Sequence, residues 1–156
     1  MFTADFVINA YNRNLVLLKQ MAGDYSHAES VIQPPVKSNC ANWIVGHIVV
    51  YRNRIMELLG APLVVDPALT QRYGNGSAPV LGDEPSISQF GDLIAALEVA
   101  QERIAAGLGT VTAEQGEEVL TYGSFTLSRA EWMIFLLRHE GYHVGQLELL
   151  REVVRG

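Results

Sequence analysis

The stretch RHEGYHVGQLELL, residues 138–150, decides the fold. His139 and His143 are four residues apart, so on a helix they share one face, one turn from each other. The same face carries Trp132, Phe135, Leu136, Gln146, Leu147 and Leu150, which makes it the face turned to a core. Upstream, Ser-Arg-Ala-Glu at 128–131 is a capping box, so the helix is expected to start at Ser128 and to run almost to the last residue. Two imidazoles on a buried stripe need partners, because an unsatisfied polar group there costs roughly 1–3 kcal/mol. One metal ion satisfies both, since the spacing lets each nitrogen reach it at about 2.0–2.1 Å.

Working outward, three further segments show helical periodicity. The first is expected over Ala4 to Glu29, ended by Pro34-Pro35. The second starts near Ser38 or Asn39, continues through NWIVGHIVVYRNRIMELLG and stops at Gly60. The third starts at Ser86, where Ser-Ile-Ser-Gln offers a capping box, and ends at Gly107 or Gly109. Glu117 to Thr126 reads as a short extended piece or hairpin.

The second and third segments are separated by a long Pro- and Gly-rich stretch, Ala61 to Pro85. Antiparallel neighbours need only a short connection, whereas a crossover along a bundle needs a long one, so these two helices are expected to run parallel. A loop of this length is also often functional. The fold class is therefore all-α, a four-helix bundle, with residues 1–156 forming one domain.

His47 lies in the middle of the second segment, among Trp43, Ile44, Val50 and Tyr51 on a face that looks buried. One inward histidine is usually a core residue bonded to a carbonyl. Three of them, two paired at helical spacing, favour a shared divalent ion on His47, His139 and His143. Three protein ligands leave a position open, the mark of a catalytic site. Imidazole suits zinc, nickel, iron and copper alike, with zinc or nickel the first expectation and iron next. The open position would take water or a low-molecular-weight thiol and make a nucleophile of it.

Other polar residues are weighed against plainer roles. Gln146, one turn past His143, is a candidate to orient a ligand or an imidazole. Glu140 is a candidate general base, but its position next to His139 turns it about 100° from the ligand face and favours a surface location. Trp43 and Tyr51 read as bundle core. His27 reads as a surface or capping residue in the last turn of the first helix. Cys40 sits seven residues before His47, about 10 Å along a helix, and reads as an ordinary small residue.

Competing chemistries fit less well. His-Glu-Gly-Tyr-His is a literal protease zinc motif, but no later histidine supplies a third ligand, Gly145 is one position early for the extended form, and Glu148 points away. A di-iron bundle needs two Glu-x-x-His motifs, and only Glu140–His143 is present. Net charge of −6 without a basic stripe argues against nucleic acid as a partner. The most apolar run, Trp43 to Tyr51, is interrupted by His47, stopped by Arg52 and too short to span a bilayer. A single cysteine and an N-terminus without a basic, apolar leader lead to the expectation of a cytoplasmic protein.

Asn42-Trp43-x-x-Gly46-His47 on the second helix, the long loop, and His139-x-x-x-His143 followed by Gly145-Gln146-Leu147 resemble the DinB-like (DinB/YfiT) superfamily. The resemblance covers nearly the whole chain. It implies an up-down-down-up bundle, a three-histidine metal site and a homodimer. It also implies a small-molecule substrate, in thiol-dependent transfer or isomerisation with mycothiol, bacillithiol or glutathione, or in hydrolysis. The alternative within it is a non-catalytic metal-binding bundle that serves as a stress-linked binding or dimerisation module.

Overall fold

A computed structural model describes residues 3–156. Four long helices build it: α1 (Ala4–Ala22), α3 (Ala41–Leu59), α5 (Phe90–Leu108) and α7 (Arg129–Arg155). Between them lie the short helices α2 (His27–Ser30), α4 (Leu69–Tyr73) and α6 (Ala113–Glu117), and a hairpin of β1 (Val119–Tyr122) and β2 (Phe125–Ser128). No described helix is long and apolar enough to cross a membrane.

Side-chain contacts fix the helix directions. Asn42 meets Ser88, Arg52 meets Leu97, and Leu59 lies against Gly107, so α3 and α5 run parallel. Tyr11 bonds Met133 and Arg151 bonds Met21, so α1 and α7 run parallel. His47 approaches His143 while Arg52 pairs with Glu140, so α3 and α7 run antiparallel. The arrangement is up-down-down-up, and residues 61–89 carry the crossover, as the length of that segment requires.

Helix ends follow local chemistry, and four expectations need correction. The first helix stops at Ala22, where Gly23 closes it and the Ser26–Glu29 capping box starts α2 afresh. α3 is entered through Cys40, which makes no side-chain cap bond, and not through Ser38 or Asn39. Gly60 then ends it in the left-handed conformation, φ 64°. α5 begins at Phe90 and not at Ser86: the Ser88 carbonyl accepts from Asn42 and the Ser88 amide donates to the Tyr73 hydroxyl, which holds that segment in the crossover. His27 is not at the end of a first helix. It opens α2, and its Nδ1 accepts the Phe90 N–H at 3.2 Å, capping α5 from across the fold. α7 starts with the Ser128–Glu131 capping box.

The core falls into two groups along the bundle. One joins Leu15, Leu18, Ile44, Ile48, Leu93, Leu97, Val144 and Leu147; the other joins Tyr11, Ile55, Met56, Ile104, Trp132 and Leu136. The hairpin covers the second group, where Trp132 Nε1 donates to the Leu120 carbonyl at 3.0 Å.

Candidate metal centre

α3 carries His47, and one turn of α7 carries His139 and His143; antiparallel packing brings the three rings together. His139 Nε2 stands 3.3 Å from His47 Nε2 and 3.2 Å from His143 Nε2. Two nitrogens on one tetrahedral ion at about 2.0–2.1 Å stand about 3.3 Å apart, so these spacings fit a shared ion. Among the described residues the group contains these three ligating side chains and no fourth. His47 and His143 are buried, and His139 is half-buried, so the cluster reaches the surface at His139.

The outer nitrogens explain how the rings are aimed. His47 Nδ1 lies 2.6 Å from the Tyr73 carbonyl, to which it can only donate. His143 Nδ1 lies 2.7 Å from Gln146 Oε1 and donates in the same way. Both protons therefore sit on Nδ1, and both Nε2 lone pairs point inward. His139 can donate one Nε2 proton at most, so hydrogen bonding alone cannot satisfy three converging nitrogens. A cation does.

Electrostatics agrees. Burial, reinforced by His143 and His139 and opposed by the Tyr73 bond, pushes the His47 pKa down to about 4. Burial, His143 and Arg138 bring His139 to about 4 as well. His143 is lowered by burial, against the Gln146 bond. All three imidazoles are neutral at physiological pH, the form a metal binds.

The Asn-Trp-x-x-Gly-His segment proves to be an anchor for the crossover. Asn42 accepts from the Tyr73 hydroxyl at 3.0 Å, and Trp43 Nε1 donates to Ser77 Oγ at 3.0 Å. Gly46 leaves the space that the Tyr73 ring fills. The Trp43 ring stacks on His47 at 4.6 Å, and Tyr51 lies 4.6 Å from His47 and 4.4 Å from His139. Tyr51 is only half-buried, so it is wall as much as core.

Glu140 is not on the surface. It is 4% exposed, and its two oxygens accept from Arg52 Nε and Nη2 at 2.9 Å each. The 100° offset from the histidines turns it toward the bundle axis instead of solvent. Arg52, read from the sequence only as the end of an apolar run, is 1% exposed. Tyr73, Ser77 and Ser88 were likewise missed, because a crossover segment without periodicity does not show which residues will be buried. Cavities of about 440 and 840 Å³ lie elsewhere, the larger between the start of α1, the end of α5 and the first turns of α7.

A crystal structure of a conserved protein from Enterococcus faecalis superposes with a TM-score of 0.76 at 15% identity, covering 100% of this chain and 99% of that one. At that identity the likeness speaks for the fold. No curated protein matches the sequence. The model of the DinB superfamily matches residues 10–147, and the chain belongs to that superfamily.

Proposed function

We propose that the protein is a divalent-metal-dependent enzyme whose His47, His139 and His143 hold zinc, nickel or iron and whose open position serves a small thiol or water. The reaction class is thiol-dependent transfer or isomerisation, or hydrolysis, on a small-molecule substrate. The observation that carries this reading is the convergence of three neutral imidazoles, with His139 Nε2 at tetrahedral spacing from both His47 Nε2 and His143 Nε2 and with no fourth ligating side chain among the described residues. When bound, the ion supplies a Lewis acid that lowers the pKa of a thiol or water at its open position.

The chain's own residues aim and shield the site. The Tyr73 carbonyl and Gln146 fix two imidazoles, while Trp43 and Tyr51 cover ring faces against water. Gln146 acts through His143. Glu140 acts through Arg52 and not as a base, since both its oxygens are engaged. The exposed α7 residues Tyr142, Leu149 and Val153 support a homodimer, and the lone buried Cys40 is compatible with the cytoplasm.

The test is to load the protein with each metal and titrate glutathione, mycothiol and bacillithiol. One thiol is expected to bind the loaded protein and not the metal-free one, and to be transferred to an electrophile. A metal-loaded protein that binds no thiol, transfers none and hydrolyses nothing would instead support a second reading, a metal-holding bundle without chemistry.

A further inference from the structure

Arg52 and Glu140 form a buried ion pair where all four long helices meet. Arg52 makes five hydrogen bonds, as many as a guanidinium has N–H donors. Two go to Glu140 on α7, two to the Leu97 carbonyl and Gln101 Oε1 on α5, and one to the Tyr11 carbonyl on α1. Arg52 follows His47 by five residues on α3, and Glu140 follows His139 directly on α7.

Among the described residues, the only hydrogen-bond contacts from α3 to α7 are this pair and the approach of His47 to His139. The histidines cannot hold themselves in place. Two inward lone pairs and at most one shared proton leave them with no net reason to converge before an ion arrives. Something else must set the relative position of α3 and α7. A bidentate, planar Arg–carboxylate contact fixes both translation and rotation between two helices. Burial of such a pair is weak evidence for stability, because well-packed apolar residues often replace one at no loss; its best-attested use is to specify a register.

We infer that Arg52 and Glu140 are positioning residues for the metal centre, holding α3 against α7 so that the three Nε2 atoms stand at ligand spacing. This rests on the three-histidine metal reading. Metal–ligand distances hold to within about 0.2 Å, so a slide between the helices several times that size would move His47 off the shared ion. The pair thus serves affinity and coordination geometry more than fold stability.

The experiment measures stability and metal binding separately in the wild type, in Glu140→Gln and in the double variant Arg52→Met/Glu140→Leu. Thermal melting of metal-free protein reads stability, zinc titration reads affinity, and the visible spectrum of the cobalt-loaded protein reads coordination. The double variant is expected to melt close to the wild type yet bind zinc at least tenfold more weakly, with an altered cobalt spectrum. Glu140→Gln, which keeps shape and loses charge, is expected to lose affinity in the same direction while remaining folded by circular dichroism. Wild-type zinc affinity and cobalt spectrum in either folded variant would overturn the inference. So would failure of both variants to fold, which would assign the pair to folding alone. If the wild type itself binds neither zinc nor cobalt, the metal reading fails first, an outcome distinct from loss in the variants only.

Discussion

His47 donates its Nδ1 proton to the Tyr73 carbonyl at 2.6 Å, and this bond joins the histidine cluster to the crossover between α3 and α5. The residue that aims the imidazole is held in turn by the helix that carries it. The Tyr73 hydroxyl reaches back to Asn42, one turn before Gly46, and its ring lies on Gly46 itself. The crossover is thus part of the site and not only a tether.

Gly46→Ala tests that coupling. A Cβ at Gly46 would stand 2.3 Å from the Tyr73 ring, which is fully buried and has no room to retreat. Overpacking of this kind costs about 1–3 kcal/mol. The urea midpoint should fall accordingly, and residues 61–89 should be cut earlier in limited proteolysis. Unchanged stability and unchanged cleavage would contradict the coupling.

Acid should weaken the metal-free protein through its histidines. His47 and His139 have pKa values of about 4 in the folded state against 6.5 when unperturbed. Between those values the unfolded chain binds more protons, so their contribution to stability is complete above about pH 6.5 and is lost as pH falls toward 4. Denaturation of chelator-treated protein at pH 7.5, 5.5 and 4.5 should show midpoints falling in that order. Histidine ring resonances should identify the two groups by their low titration midpoints.

Gln146→Ala should separate aiming from folding. Gln146 is half-buried, and its described hydrogen bond goes to His143. Loss of such an outer partner typically costs ten- to a hundredfold in metal affinity. Zinc titration should show that drop with melting changed by no more than a few degrees.

Ser128→Ala should cost about 1 kcal/mol, because Ser128 accepts the Glu131 N–H at the start of α7. A calorimetric melt without any shift would show that the hairpin alone fixes that helix start.

The bundle was legible where periodicity and capping chemistry agree. Ser128 and Gly60 mark helix ends by local bonds that a sequence displays. The three histidines were legible because helical spacing and apolar neighbours place them on inner faces. What the sequence could not display was long-range pairing. The same offset that turns Glu140 away from His139 could lead to water or to the bundle axis, and only the position of Arg52 on another helix decides which. His27 capping α5 and Tyr73 accepting from His47 are likewise contacts across the fold, with partners 63 and 26 residues away.

The central claim is that His47, His139 and His143 hold one metal ion together. Elemental analysis of protein purified without an affinity tag, paired with zinc titration of the wild type and of His47→Ala, His139→Ala and His143→Ala, tests it most directly. The account predicts one ion per chain in the wild type and a large loss of affinity in each single variant. Absence of stoichiometric metal, with no melting shift on adding zinc or nickel, would contradict it.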